Sequence, residues 1–306
     1  MTQKNSFISV VVCAFSLERF DKTIDCINSV LNNTYKNFEI ILVIDGNQQL
    51  KQKMDLEFRY CKNFLIIDNK KNEGPAISRN KGVEYTKGDI VAFIDDDAFA
   101  DPYWLENIVK DFLQYPEILC IGGKLLPVYE NGSKRLPEEI LWLVGGTYKG
   151  HPESKQVVRN VFTGNMAVRR DIFMDIKFKT MIDNKKNSLS HQLEDTLFCV
   201  MLNKIKPDTV LYDPEIIVYH HVPNDRLKIR YIAKRSYDEG KLKAKLENIN
   251  RNDDNDKKVL SSEQNYLNSV LISIIKNLSR FNIRSSILIL LTVSSVLIGY
   301  TKEKYL

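Results

Sequence analysis

The feature that most constrains this chain is the regular alternation of short β-branched runs with helical segments over its first 115 residues. Phe7 to Ala14 (FISVVVCA), Phe38 to Asp45 (FEIILVID), Asn63 to Asp68 (NFLIID) and Asp89 to Asp95 (DIVAFID) are continuous apolar runs rather than alternating ones. Runs of that kind belong to strands buried on both faces. Between them lie DKTIDCINSVLNN, with Ile24, Ile27, Val30 and Leu31 on one helical face, and a charged helix from Lys51 to Tyr60. GPAISRNKGVEYTKG has Pro75 near its first turn and Gly88 at its close, and PYWLENIVKDFLQ opens on Pro102. Strand and helix in alternation predict an α/β fold with a mainly parallel sheet covered by helices.

In such a sheet, ligands bind at the carboxyl ends of the strands. The turn at Ala14–Phe15, Asp45, and the run Asp95, Asp96 and Asp97 all fall on that rim. Three adjacent acids after a buried strand cost stability unless a cation sits among them. Carboxylates at i and i+2 on a strand end point to one side and can hold a hard divalent ion, Mg²⁺ or Mn²⁺, with open positions for substrate phosphates. The alternative is a helix cap, with Asp101 before Pro102 a member. One acid can cap; three ask for more.

After residue 120 the pattern loosens. CIGGKLLPVYENG predicts strand and turn, VFTGNMAVRRDIF a strand entering a helix, and DTVLYDPEIIVYHH two short strands. LEDTLFCVMLNK predicts a helix with Leu193, Leu197, Val200 and Met201 inward. Consecutive helical residues diverge by about 100°, so only one of Glu194 and Asp195 can face a substrate while the other caps or pairs. Gly164 and Asn165, in TGN, suit close backbone approach to a sugar or acceptor. His220 and His221 offer a third metal ligand or a phosphate donor; His221 is taken as the ligand, and the sequence does not separate the two.

Several segments carry a resemblance. SVVVCAF, ILVIDGN, NEGPAISRNKG, FIDDDAFADPYWLE, FTGNMAVRRDIF and LEDTLFC occur in that order in family-2 glycosyltransferases of GT-A fold, which this chain resembles from residue 7 to about residue 200. A narrower resemblance, resting on VVVCAFSLERFD, VIDGN, PEEILWLVGG and VLIGY, is to archaeal glucosyl-dolichyl-phosphate glucuronosyltransferases. The resemblance implies an inverting, metal-dependent transfer from a UDP-sugar to a lipid-linked acceptor. It makes Asp95–Asp97 the DXD motif, with Asp97 the main metal ligand, Asp95 nearer the ribose or the metal, and Asp96 in the donor site. It gives Asp45 the uracil N3–H, Arg79 a place beside the base or phosphates, and the Ala14–Phe15 turn backbone contacts to the base. It makes the second acid of LEDTLFC, Asp195, the general base. Against each role stands a plainer one: Asp45 as a turn former before Gly46, Arg79 on a solvated helix face, Glu194 and Asp195 as acids answering the helix dipole.

Composition narrows the competing classes. A net charge of +5 is mild and does not argue for nucleic acid. The five cysteines are scattered, without a C-x-x-C pair, and are expected reduced in a cytosolic setting. MTQKNSFISVVVCAF is too brief in its apolar run for a signal peptide. The first strand lacks the G-x-G-x-x-G of a dinucleotide-binding dehydrogenase and the Gly-rich loop of a nucleotidyltransferase. Within the glycosyl-transfer reading, a polyprenyl-phosphate sugar synthase and a non-catalytic nucleotide-sugar-binding protein are the alternatives.

Domains are expected at 1–225 (catalytic), 226–265 (basic helical segment and polar linker) and 266–306. The basic stretch from Arg226 to Lys245 includes Arg230, Lys234 and Arg235, which either close over a diphosphate or form a solvated basic face. YLNSVLISIIKNL places Leu267, Val270, Leu271, Ile274, Ile275 and Leu278 on one stripe. Seventeen uncharged residues then run from Ser285 to Thr301, at the lower edge of the about 17–25 a spanning helix needs. Cations on both sides leave several arrangements open: spanning, in-plane or hairpin, or a helical pair docked on the catalytic domain or on a dimer partner. Membrane contact at the cytoplasmic face fits a polyprenyl-linked acceptor. Oligomerisation is left open.

Overall fold

The computed structural model describes residues 6–130, 135–179, 194–250 and 283–305. Its chain falls into two compact units, Met1–Leu126 with Pro152–His220 and Pro127–His151 with His221–Leu306. The second unit thus takes up residues 127–151 as well as those after 220. The amphipathic stripe at 267–278 lies outside the described residues.

In the first unit, β1 (Ile8–Ala14), β2 (Phe38–Asp45), β3 (Phe64–Asn69) and β4 (Ile90–Asp95) form a parallel set in the order β3-β2-β1-β4. The sheet continues through β8 (Asn165–Arg169), β6 (Cys120–Tyr129), β9 (Val210–Val222) and β5 (Ala98–Ala100), with β7 (Gln156–Val157) beside β9. β8 is antiparallel to both β4 and β6, and β5 and β7 are antiparallel to β9. The sheet is therefore mixed: the parallel half is the one the alternating sequence announces.

The continuous apolar runs are explained by burial on both faces. Ile8, Val10 and Val12 of β1, Ile40, Leu42 and Ile44 of β2, and Ile90, Ala92 and Ile94 of β4 enter one core. Their alternates Val11, Ile41, Val43, Val91 and Phe93 enter the other. Over the first face lie α1 (Phe20–Leu31), α2 (Gln48–Glu57) and α4 (Trp104–Gln114), through Ile27, Met54, Trp104 and Ile108 among others. The second face is covered by α3 (Pro75–Glu84), α5 (Glu194–Ile205) and the segment carrying Phe173 and Phe178. All five cysteines are free thiols, Cys26, Cys120 and Cys199 fully buried.

Three local expectations differ. DTVLYDPEIIVYHH is one strand of 13 residues, β9, which continues through Pro214. RRDIF is a five-residue 3₁₀ turn, Arg170–Met174, not a helix. α5 turns Phe198, Cys199 and Leu202 inward, whereas Leu197 and Val200 are only half-buried; Leu193 is outside the described residues. The aromatic cluster of Phe173, Phe178 and Phe198, with ring centroids 4.6–6.0 Å apart, sets that rotation.

The second unit holds α6 (Ile229–Asn250) and α7 (Ile283–Tyr305), packed on each other and on the 3₁₀ segment Glu138–Val144. Its core joins Leu136, Ile140, Leu143, Val144, Val222, Ile232, Leu288 and Ile289. PEEILWLVGG is thus the seat of the two helices.

Candidate active site

The carboxyl ends of β1, β2 and β4 bring the rim residues together. Cys13 and Asp95 are paired across β1 and β4, so the acid run begins beside the Ala14–Phe15 turn. Ala14 is buried and Phe15 is half exposed. The Phe15 carbonyl accepts from Asn47 Nδ2 at 2.9 Å, which ties the turn to the end of β2.

Asp45 is buried and held by three donors: Asn69 Nδ2 at 2.7 Å, Glu73 N at 2.9 Å and Gly74 N at 2.9 Å. A carboxylate has about four lone-pair sites, and three of them are taken here. The carboxylate fixes the loop into α3, and that loop aims Arg79. This side chain is 12% exposed rather than solvated: Nη1 meets Glu194 Oε2 at 2.9 Å, and Nη2 meets Asp95 Oδ1 at 3.3 Å. Its guanidinium lies 5.8 Å from the Phe178 ring centroid. A residue 115 positions away in sequence from Glu194 thereby joins the two carboxylate groups that the sequence leaves apart.

Asp96 and Asp97 share a second guanidinium, Arg19, whose Nη1 is 2.9 Å from Asp96 Oδ1 and 3.1 Å from Asp97 Oδ2. Burial, followed by the neighbouring Asp97 charge, pushes the Asp96 carboxyl up to about 7 against the pull of Arg19. Arg19 is not among the site residues expected from the sequence. Its only trace there was the demand that three acids make for a cation. Among the described residues, the guanidiniums of Arg19 and Arg79 meet Asp95, Asp96, Asp97 and Glu194, more acids than cations.

Asp95, Asp97 and His220 each offer a ligand atom, all within 4.8 Å of one another. His220 Nε2 is 3.1 Å from Asp97 Oδ1, and its buried Nδ1 has no hydrogen-bond partner among the described residues. This corrects the choice of histidine. Successive strand residues point to opposite faces: His220, opposite Ala98 in the β5–β9 pairing, joins the acids. His221 belongs to the second unit, where Nε2 stands 4.0 Å from Glu130.

A side chain at position 164 would displace the Asp95 carboxylate. A Cβ there would stand 2.7 Å from Asp95 Oδ2, inside contact distance. The Asn165 side chain is occupied within the fold. It is buried, its Nδ2 donates to the Lys124 and Ile216 carbonyls at 3.0 and 2.9 Å, and its Oδ1 accepts from Trp104 Nε1 at 2.8 Å. Both amide hydrogens are spent on the fold, so the side chain pins β8 to its neighbours. Arg235 lies in the second unit, paired with Glu239 at 2.9 Å and 5.8 Å from the Trp142 ring centroid.

Glu194 and Asp195 separate as adjacent helical residues must. Glu194 is buried against Arg79. Asp195, half-buried, accepts from Thr196 N at 2.7 Å. An acid–histidine cluster thus stands at the strand ends, and Arg79 joins Glu194 to it.

The model of the family "Glycosyl transferase family 2" matches residues 9–177. The chain belongs to that family and is a transferase. It is 31% identical over 234 residues to a glucosyl-dolichyl phosphate glucuronosyltransferase of Haloferax volcanii, with 76% of this chain and 75% of that one covered. Glycosyltransferase AglE of the same organism is 27% identical over 180 residues, 58% and 57% of the two chains. The fold is GT-A-like. It is similar to the crystal structure of S. aureus TarS 1-349, with a TM-score of 0.52, 15% identity, and 97% and 90% of the two chains covered.

Proposed function

We propose that this glycosyltransferase moves a sugar, with inversion, from a UDP-sugar to a dolichyl-phosphate-linked glycosyl acceptor at the cytoplasmic face of a membrane. Glucuronate is the sugar that the Haloferax relative's name suggests. The observation that carries the reading is the meeting of Asp95, Asp97 and His220 at the carboxyl rim, beside a second carboxylate pair that Arg79 draws in.

Two carboxylates and an imidazole fit Mn²⁺, and less fully Mg²⁺, which takes oxygen almost alone. Asp95, Asp97 and His220 would hold it. A bound ion of this kind stabilises charge growing on a leaving diphosphate. The remaining work falls to the chain. Asp195 takes the proton from the acceptor hydroxyl as that oxygen bonds to the anomeric carbon; the bond from that carbon to the diphosphate breaks, and the electron pair leaves with UDP. Glu194 is committed to Arg79, and so Asp195 is the member of the pair suited to the base role. Asn47 holds the turn against which the base would lie, and Gly164 lets the backbone come close to Asp95.

The test is turnover of a panel of UDP- and GDP-sugars with and without Mn²⁺, on glucosyl-dolichyl phosphate and on dolichyl phosphate itself. Mn²⁺-dependent transfer from a UDP-sugar to the glucosylated lipid is expected. Transfer only to the bare lipid phosphate would make the enzyme a polyprenyl-phosphate sugar synthase. Donor binding without any turnover would reduce it to a binding protein.

A further inference from the structure

The uncharged run in α7 meets the length of a membrane-spanning helix. Its 23 residues from Ile283 to Tyr305 include an 18-residue apolar window, of which 28% is buried. Its two sides are nevertheless unlike. Ser286, Leu288, Ile289, Thr292 and Gly299 are buried, whereas Ile283, Ile287, Leu290, Leu297, Ile298 and Tyr305 are each at least half exposed. At 100° per residue the exposed six fall on one stripe, roughly 33 Å long at 1.5 Å per residue.

The buried side is committed to α6. A Cβ on Gly240 would stand 2.0 Å from the Val296 carbonyl oxygen, and one on Gly299 would stand 2.0 Å from that of Tyr237. The backbones approach as closely as small residues allow. Farther along, Lys241 and Lys245 both reach Glu303, at 3.0 and 3.6 Å, and Lys304 meets Glu247 at 2.9 Å. Ile232, Leu288 and Ile289 share one apolar cluster at the other end. The two helices therefore run side by side, both ascending. Yet α6 carries nine charged residues in its 22, and such a helix cannot enter hydrocarbon.

We infer that α7 does not cross the bilayer: docked on α6, it lies in the plane of an anionic membrane surface with the Ile283–Tyr305 stripe sunk among the acyl chains. Charge selects lipid as the occupant. Arg284 and Lys302, both exposed, are eighteen residues apart, five whole turns, so they share one border of the stripe. The sole acid of α7, Glu303, is paired inward with α6. A second copy of this chain would bring the same two cations to the contact and no acid from its own stripe to meet them. Anionic headgroups answer both, as at other in-plane amphipathic helices.

This inference rests on the membrane-acceptor reading, and the experiment separates them. Full-length chain is floated with vesicles of phosphatidylcholine alone and with added phosphatidylglycerol. Depth is read by brominated-lipid quenching in chains carrying Ile283→Trp, Leu290→Trp or Leu297→Trp, after subtracting the unsubstituted chain. Flotation should require the anionic lipid, fall at least about tenfold in Leu290→Asp/Leu297→Asp, and weaken in Arg284→Glu/Lys302→Glu. All three tryptophans should be quenched at the same shallow depth. A deep Leu290→Trp between shallower neighbours would mean a spanning helix and overturn the in-plane placement. An oligomer dispersed by Leu290→Asp/Leu297→Asp, without flotation, would make the stripe a contact between copies. A large loss of thermal stability in that variant would mean that the chain covers its own stripe. If lipid-linked transfer in detergent persists while flotation is absent, the docking fails and the catalytic reading stands.

Discussion

Glu194 and Asp195 carry the same charge on neighbouring positions, and their surroundings differ. Glu194 is sealed against Arg79, which also holds Asp95. Asp195 is less buried and bonds its own helix start. Asp195→Asn should reduce kcat by about 10²–10⁴, the usual contribution of a general base, with UDP affinity unchanged in calorimetry. Glu194→Gln should be milder in rate but should lower stability by about 1–3 kcal/mol, because a buried guanidinium loses a charged partner. A greater rate loss in Glu194→Gln would reverse the two roles. The histidines divide just as sharply. His220→Ala should raise the Mn²⁺ concentration needed for half-maximal activity by an order of magnitude or more, whereas His221→Ala should leave it in place; equal effects would dissolve the distinction that the strand draws between them.

At the scale of elements, a buried ionic cluster away from the rim shows how the antiparallel half is held. Lys155 Nζ lies between Asp111 of α4, at 2.5 Å, and Asp213 of β9, at 2.8 Å, and both acids are almost wholly buried. Burial pushes the Asp111 carboxyl up to about 6. Asp213 also suffers from burial, but its hydrogen bonds from Lys155 and the Glu215 backbone hold it below the ordinary value. The signs follow by linkage. Asp213 contributes stability above its unfolded pKa and loses it as pH falls through the depressed folded value. Asp111 opposes this, costing stability as pH rises from about 4 through 6. In Lys155→Met both carboxylates are left buried without a cation, so the deficit against the native chain should be small near pH 4. It should widen to about 3–5 kcal/mol by pH 8, measured by urea unfolding at each pH; a deficit that is constant with pH would refute the assignment.

Such elements also mark where sequence reading succeeds and where it stops. The parallel strands are legible because burial on both faces demands continuous Val and Ile runs, and the acid run is legible because it ends one of them. Arg79 reads as an ordinary helix residue, since nothing local says that Glu194 will arrive from 115 residues away. Arg19 is hidden for the same reason: its partners are 77 and 78 residues on. The Asn165 side chain's partners lie on three separate elements, which no local pattern announces. The choice between His220 and His221 needed the phase of β9, and that phase is set by pairing with Ala98 across the sheet. α5 was rotated by aromatic neighbours that pattern counting cannot see.

Across the whole molecule, the first unit carries every residue of the acid–histidine cluster, and the second carries the two long helices. Removing α7 is a poor probe of membrane binding, because Leu288 and Ile289 belong to the second unit's core; surface substitutions on its outer stripe are cleaner. The central claim is that Asp95, Asp97 and His220 form a metal-dependent nucleotide site. Calorimetric titration of UDP, with and without Mn²⁺, into the native chain and into Asp97→Ala tests it most directly. The native chain should bind UDP at least about tenfold more tightly with Mn²⁺, and Asp97→Ala, verified as folded, should lose that gain. A native chain indifferent to Mn²⁺, or an Asp97→Ala chain that keeps the full metal dependence, would contradict the account.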